Sequence, residues 1–172
     1  KRLWRFDTVP GPGQSGHETW NGDSWKTGGA PAWITGAYDP DLNLIYWPTG
    51  NPAPSDYGGE RGGDNLYSNC MLALDADTGT LKWYFQFTPH DLHDYDATQV
   101  PVLLDAQWDG QPRKLLIHIG RGSYSPFASA VHHNFCMGSC IFCMSPFRTI
   151  GVLPRRIALT SEDLRRRRAS PK

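Results

Sequence analysis

The chain has 172 residues, 39% of them hydrophobic, and its 17 basic and 17 acidic side chains give a formal net charge of zero. This length is enough for a domain with a hydrophobic core, and the balanced charge argues against a basic nucleic-acid-binding protein. No apolar run is long enough to span a bilayer as a helix.

The zero net charge hides two parts of opposite sign. Residues 1–122 hold nine Lys or Arg against fifteen Asp or Glu, a net charge of −6, whereas residues 123–172 hold eight against two, a net charge of +6. All seven Trp lie in the first part, and three of the four Cys lie in the second. We therefore predict a boundary near Gly122, with 1–122 as the folded unit and 123–172 as a basic, Cys-containing tail outside the fold.

Short β-prone runs separated by turn signals make up the first part. None carries a sustained helical period, which predicts an all-β protein built as a sandwich, a barrel or propeller blades. The first run reads as the end of a strand, so we expect that the sequence begins inside a longer protein, and it shows no secretory signal. In chain order the runs are LWRFDTV, AWITGAYD, NLIYWPT, CMLALDA, LKWYFQF, VPVLLDA and KLLIHIG.

Residues 88–97, TPHDLHDYDA, pack two His and three Asp directly after LKWYFQF, which reads as a buried strand. Carboxylates this dense do not belong in a core without compensation, because burial of an unpaired charge is costly. Three interpretations are open: a hard metal ion held by Asp oxygens, an Asp that removes a substrate proton, and a solvated acidic loop. The H-D-x-H-D spacing also leaves a transition-metal site at His90 and His93 open.

The segment ALDADTGTLKW, residues 73–83, has the pattern of a tight turn between two strands. Asp75 can accept hydrogen bonds from turn amides, Gly79 can adopt a positive φ, and Trp83 returns a flat side chain toward a neighbouring sheet. The earlier KRLWRFD places Trp4 in the position of Trp83, so the two segments indicate a repeat.

ALDADTGTLKW resembles the tryptophan-docking motif A-x-D-x-x-T-G-x-x-x-W of eight-bladed quinoprotein propellers. Further segments resemble the methanol and ethanol dehydrogenases that use pyrroloquinoline quinone (PQQ), and the resemblance covers about the first 120 residues. It implies about two blades of an eight-bladed all-β propeller. The segments are ETWNGDSWKTGGAPAW, YDPDLNLIYWPTGNPAP, GDN, FTPHDLHDYD and RKLLIH.

The family function implied by this resemblance is oxidation of primary alcohols to aldehydes in the periplasm. Electrons would pass from PQQ to a cytochrome c-type acceptor, and membrane association of the full-length proteins is left open. No nucleic-acid partner is implied. Because about two blades hold only part of such a site, we expect the polypeptide alone to be inactive.

The resemblance assigns four residues by position. Trp33, at the end of GGAPAW, matches the Trp under the PQQ ring, and stacking on a flat quinone suits an indole. Asn51 in TGNPAP matches the Asn whose amide oxygen binds the metal. Asp94 matches the catalytic base, which takes the hydroxyl proton and also contacts the metal. Arg121 falls where the family places a basic residue beside the quinone oxygens, although G-R-G-S departs from the family pattern N-R-N-G.

Asp96 bears on the identity of the metal. The resemblance implies a small residue two places after the base in calcium enzymes and a second Asp in lanthanide enzymes. This chain reads D-Y-D, and strand-like alternation would put Asp94 and Asp96 on one face. A trivalent cation needs more negative charge than Ca²⁺, so we favour a lanthanide over calcium.

Beyond Gly122 the resemblance ends. CMGSCIFC spaces Cys136, Cys140 and Cys143 as in the iron–sulfur loop of radical S-adenosylmethionine enzymes, although too few residues follow for their barrel. Zinc binding with His132 and His133 is a weaker alternative. The simplest interpretation is a frameshifted or truncated gene.

Two other classes of function stay open. A cofactor-free propeller could serve as an assembly scaffold, but it would have no reason to keep Asn51, Asp94 and Asp96 together. A small β domain with a cysteine-bound metal in its tail is the other alternative. The run at 165–168, RRRR, would suit nucleic acid or a membrane surface, but such a run is usually a solvated or disordered tail.

Overall fold

The computed structural model describes residues 1–108, 110–121 and 137–143. Two short 3₁₀ helices, His17–Thr19 and Ser24–Lys26, precede the strands. Within the described part no helix has the length and hydropathy needed to cross a membrane. Seven strands follow: β1 (Ala37–Asp39), β2 (Leu44–Pro48), β3 (Cys70–Asp75), β4 (Leu81–Gln86), β5 (Val102–Trp108), β6 (Gln111–Arg121) and β7 (Met137–Cys143).

Strands β1 to β4 form one antiparallel sheet in the order of the chain. Its central strand β3 is buried along almost its whole length and separates two hydrophobic clusters. Met71 and Ala73 pack into one cluster, and Leu72 and Leu74 pack into the other, because successive side chains of a strand point to opposite faces. The strand β4 was predicted to be buried, but its exposed and half-buried positions alternate.

The turn between β3 and β4 forms as the sequence predicts. The Asp75 carboxylate accepts hydrogen bonds from the backbone N of Thr78 at 3.0 Å and from its Oγ1 at 2.9 Å. Gly79 has a φ of +70°, and a Cβ there would lie 2.4 Å from the Trp4 ring. Trp4 Nε1 donates to the Ala76 carbonyl at 2.9 Å. The tryptophan of the first repeat therefore docks on the turn of the second.

The opening run, LWRFDTV, does not form a strand. Its apolar side chains Trp4 and Phe6 pack against the second hydrophobic cluster of the first sheet. A strand requires a ladder of hydrogen bonds to a paired strand, and no strand of the described part pairs with this run, although Tyr67 N donates to Thr8 O at 2.9 Å. The prediction of a strand at the start is therefore wrong for this structure.

Strands β5, β6 and β7 form a second antiparallel sheet. Leu116 of β6 belongs to the same cluster as Met71 and Phe87, so the two sheets share a core. Lys114 of β6 also joins them, because its Nζ lies 3.5 Å from Asp39 and 3.4 Å from Asp105.

The tail was predicted to be irregular and separate from the fold. Irregularity is wrong for Met137–Cys143, since these residues form a strand that pairs with β6 along seven positions, whereas the separateness of the tail as a whole stays a prediction. The open edge of β6 explains the pairing, because the backbone groups of an edge strand accept any extended segment of suitable length. Cys140 and Cys143 thus lie on a strand instead of a cluster-binding loop. Cys136, His132, His133 and residues 165–168 lie outside the described residues.

Candidate active site

Two loops meet at one end of the first sheet. Strands β2 and β4 both run antiparallel to β3, so they run parallel to each other and terminate at the same end of the sheet, beside the start of β3. The loop after β2 carries Asn51, and the loop after β4 carries Asp94 and Asp96. The strand order therefore brings together two segments that lie about forty residues apart in the sequence.

Asn51 and Asp96 are in direct contact. The backbone N of Asn51 donates to Asp96 Oδ1 at 3.2 Å. Gly50 makes this approach possible, because a Cβ at that position would lie 2.4 Å from the same oxygen. The amide Nδ2 of Asn51 donates to the Pro52 carbonyl at 3.3 Å, which holds the side chain within its own loop.

Asp94 lies in the same loop but in a different environment. It is exposed, whereas Asp96 is half-buried, and both have positive φ values, of 54° and 48° respectively. Strand-like alternation was predicted here, and it is wrong, because residues 91–100 form no strand and the backbone turns at both aspartates. Positive φ in non-glycine residues often accompanies functional loops, where the surrounding structure enforces it.

Trp33 is exposed over 61% of its surface and lies in the segment between the second 3₁₀ helix and β1. The glycines before it serve close packing: a Cβ at Gly28 would lie 2.5 Å from the Trp20 ring, and one at Gly29 would lie 3.1 Å from Ala53. A cleft of about 550 Å³ opens nearby, lined by residues 6–9, 28–31, 51 and 53. Trp33 does not line this cleft, so its role as a cofactor platform stays a prediction.

Arg121 is the last residue of β6 and pairs with Met137 of β7. The strand begins after the turn that follows β5, and it extends beyond Leu116 of the shared core to Arg121. The predicted contact of Arg121 with a quinone stays a prediction.

The sequence did not reveal a buried polar network beneath the two loops. Arg61 is fully buried, and its guanidinium donates to Pro54 O at 2.9 Å and to Asn65 Oδ1 at 2.7 Å. It also donates to the carbonyls of Ser55 and Asp91. Burial lowers the pKa of Arg61, while the nearby Asp91 carboxylate opposes that shift. The arginine thus connects the segment after Asn51 to the start of the Asp94 loop.

Asp91 is the second member of this network. Its carboxylate is buried and accepts hydrogen bonds from Asn69 Nδ2 at 2.8 Å, from His93 N at 2.8 Å and from Tyr95 N at 2.9 Å. These bonds bend the backbone on either side of Asp94. The sequence shows Asp91 two residues before His93. It does not show that Asp91 is buried, so this network could not be predicted from it.

The rings of the two histidines in the Asp94 loop both contact other protein groups. His90 Nδ1 lies 2.9 Å from the Gly63 carbonyl, as expected from a positional role, and the His93 ring lies 5.1 Å from the Tyr95 ring. Over the described residues, no group of three or more His, Cys, Asp or Glu side chains is arranged to hold a metal ion.

A third buried residue that sequence reasoning missed is His118 of β6. Its ring stacks on Phe87 with a centroid separation of 4.3 Å. Burial lowers its pKa to about 4, against an opposing effect of the Ala97 backbone, so the ring is neutral at pH 7. His118 thus lies against the end of the Asp94 loop without carrying charge.

The donor set of the two loops suits a hard cation. One amide and two carboxylates are oxygen donors of the kind that Ca²⁺ and lanthanide ions prefer. The hydrogen bond from the Asn51 backbone to Asp96 Oδ1 brings the two loops into direct contact. Further ligands would have to come from elsewhere, because a hard cation of this size takes six or more oxygens.

The first part of the chain is similar to known proteins. Residues 1–124 match the family model described as PQQ, glucose/ethanol/alcohol dehydrogenase, β-propeller domain. The lanthanide-dependent methanol dehydrogenase of Methylorubrum extorquens is 43% identical over 107 residues, which are 62% of this chain and 18% of that protein. Methanol dehydrogenase (cytochrome c) subunit 1 of the same organism is 48% identical over 107 residues, which are 62% of this chain and 17% of that protein.

Solved structures give the same result. A europium-containing methanol dehydrogenase is 37% identical, with a TM-score of 0.60, and the match covers 70% of this chain and 21% of that one. The chain spans about a fifth of the length of the curated relatives that it matches. The prediction of an all-β propeller portion is thus confirmed. With its first 124 residues matched, the chain belongs to the PQQ-dependent glucose/ethanol/alcohol dehydrogenase β-propeller family.

Proposed function

We propose that this chain supplies the metal-binding and proton-abstracting part of an alcohol dehydrogenase that oxidises primary alcohols to aldehydes. The contact between Asn51 and Asp96 carries the proposal, because it joins the two loops that hold all the predicted oxygen donors. A cofactor-free scaffold would not need this approach, nor the Gly50 that permits it.

Asn51, Asp94 and Asp96 would hold the cation, and Trp33 would provide a flat surface for the quinone. Bound PQQ would supply the hydride-accepting group. The second carboxylate at Asp96 favours a lanthanide over Ca²⁺, because a trivalent ion gains more from each added negative charge. The names of relatives that contain europium or depend on lanthanides support this choice.

Asp94 would act as the base. It is the more exposed of the two aspartates, so a substrate hydroxyl can reach its carboxylate oxygen and transfer a proton to it. Asp96 is half-buried and bonded to the Asn51 backbone, which suits a ligand that stays in place. Arg121 would stabilise negative charge that develops on the cofactor oxygens.

The electron acceptor would be a cytochrome c and the location the periplasm. The first suggestion rests on the name of the methanol dehydrogenase relative, which includes cytochrome c. The second rests on family membership. We propose no nucleic-acid partner, since the family-matching part of the chain has a net negative charge.

A segment exchange tests the catalytic role. The region of the Methylorubrum lanthanide-dependent enzyme that matches this chain would be replaced by residues 1–121, and methanol and ethanol oxidation measured with an artificial electron acceptor. We expect activity in the exchanged enzyme and a loss of at least about a hundredfold for Asp94→Asn, as for other general bases. Equal activity of both forms would refute the proposal.

A separate measurement addresses the metal in the 172-residue chain itself. Tb³⁺ would be titrated into the chain, and its luminescence followed under excitation of tryptophan. We expect saturable binding that Asp96→Ala and Asn51→Ala weaken, whereas the chain alone, reconstituted with PQQ and metal, should show no alcohol turnover.

A further inference from the structure

Asn69 lies between the two loops and uses every hydrogen-bonding group that it has. Its backbone N donates to Gly50 O at 2.8 Å, and its carbonyl accepts from Phe87 N at 2.8 Å. Its side-chain Nδ2 donates to Asp91 Oδ2 at 2.8 Å, and its Oδ1 accepts from Ala97 N at 3.0 Å. The residue is fully buried and immediately precedes β3.

These bonds fix both loops from one point. The hydrogen bond from Asn69 N to Gly50 O holds Gly50, which directly precedes Asn51 in the loop after β2. The two side-chain bonds hold Asp91 and Ala97, which lie on either side of the segment with Asp94 and Asp96. Because each bond is buried, the loss of one partner would leave a donor or acceptor unsatisfied, so the arrangement has little freedom to shift.

The residue type at position 69 is restricted by backbone and side chain together. Its φ of 47° suits Gly, Asn or Asp, but Gly would lose both side-chain bonds. Asp could still accept from Ala97 N, yet it would place a second carboxylate against Asp91 in a buried site. Asn is the residue that satisfies the conformation, the donor and the acceptor at once.

We propose that Asn69 is a positioning residue for the cation site, which sets the separation between Asn51 on one loop and Asp94 and Asp96 on the other. This inference rests on the proposed function, because it assumes that the oxygen donors of the two loops share an ion. Asn69 itself lies beneath the loops and acts through Gly50, Asp91 and Ala97.

The chain offers a matched control in Asn43. It also has a positive φ, of 52°, and its Nδ2 also donates to an aspartate, Asp77, at 2.8 Å. That bond is exposed and lies at the other end of the first sheet, in the turn region. Asn43→Asp therefore repeats the chemical change of Asn69→Asp without touching the two loops.

The test is Tb³⁺ binding to the 172-residue chain, with luminescence lifetimes in H₂O and D₂O to count the water molecules on the ion. For Asn69→Asp we expect affinity to fall about tenfold, from the loss of a hydrogen bond to a charged partner. We also expect about one more bound water, because a displaced protein oxygen is replaced by solvent. Asn43→Asp should change neither quantity.

Electrostatics alone predicts the opposite sign for Asn69→Asp, because an added carboxylate near the ion would strengthen binding. Unchanged or tighter binding, with an unchanged number of waters, would therefore overturn the inference. Absence of Tb³⁺ binding by the unsubstituted chain is a different result: it would overturn the cation site itself and the role of Asn69 with it.

A double substitution covers the case in which Asn69→Asp prevents folding. In Asn69→Asp/Asp91→Asn the donor and the acceptor change places, so one hydrogen bond between positions 69 and 91 can form again. We expect this chain to fold, as measured by circular dichroism, and to bind Tb³⁺ within about threefold of the unsubstituted chain, which has the same net charge. No rescue of binding in the folded double variant would contradict a positioning role.

Discussion

Two acidic loops lie at opposite ends of the first sheet, and they differ in what holds them. The central carboxylate of the turn after β3 has local partners: Asp75 accepts two hydrogen bonds from Thr78 and forms an ion pair with Lys82 at 3.2 Å. The loop after β4 is held by Asn69 and Arg61, which lie more than twenty residues away in the sequence. Trp4 and Asn43 also bond to the turn after β3, but its Asp75 carboxylate needs only neighbours in the sequence. The buried Asp91 carboxylate of the other loop accepts in addition from the distant Asn69.

The largest expected effect is from removal of the buried arginine beneath the second loop. Arg61→Leu would leave the carbonyls of Pro54, Ser55 and Asp91 without a donor and the Asp91 carboxylate without its cation. We expect a loss of about 3–5 kcal/mol in the free energy of unfolding, measured in urea. A loss below about 1 kcal/mol would show that the loop does not depend on this network.

The next effect is a pH dependence from His118. Its folded-state pKa of about 4 lies below the ordinary 6.5, so the unfolded chain binds the proton more readily. Stability is therefore complete above about pH 6.5 and falls as the pH decreases toward 4, by up to about 3 kcal/mol.

His118→Phe keeps a ring for Phe87 to stack on and should remove that dependence. His93→Phe serves as the control, since His93 is exposed, and it should retain the decrease. Urea unfolding at several pH values distinguishes the two. An identical acid response in all three chains would exclude His118 as its source.

A smaller effect on stability, but a larger one on the site, is expected for Gly50→Ala. The new Cβ would lie 2.4 Å from Asp96 Oδ1 and must push the carboxylate away from Asn51. We expect about 1–3 kcal/mol of destabilisation and weaker Tb³⁺ binding. Gly11→Ala, whose Cβ would have ordinary contacts beginning at 3.5 Å, should leave Tb³⁺ binding unchanged.

The smallest effect is expected at the turn after β3. Hydrogen bonds from Thr78 lower the pKa of Asp75 below 3.8, with a further contribution from Lys82, so its stabilising effect is present above that pH and is lost as the pH falls. Asp75→Asn should lessen stability slightly at pH 7 and leave Tb³⁺ binding at the other end unaffected. A large loss of metal binding in this variant would show that the two loops are coupled through the sheet.

Much of the fold followed from local patterns. Six of the seven predicted runs correspond to a strand, because each places a short apolar segment between turn residues. The exception, LWRFDTV, shows that a strand-like run stays irregular where no neighbour pairs with it. The strand at Met137–Cys143 shows the converse, since an available edge on β6 gave order to a segment predicted to be irregular.

The candidate site was only partly predictable. The residue types at 51, 94 and 96 indicate oxygen donors for a hard cation, but alternation along an assumed strand gave the wrong geometry for the two aspartates. The supporting residues Asn69, Arg61 and His118 were missed, because nothing in the sequence distinguishes a buried polar residue from an exposed one.

The sequence by itself determined six of the seven strands, the turn at Asp75 and the supply of hard oxygen donors, because these depend mainly on neighbours within a few residues. The tertiary structure alone decided that Asn51 contacts Asp96, since that contact requires β2 and β4 to terminate at the same end of the sheet. It also decided which polar side chains are buried between the loops. Burial and long-range pairing arise from the packing of distant segments, and no local pattern encodes them.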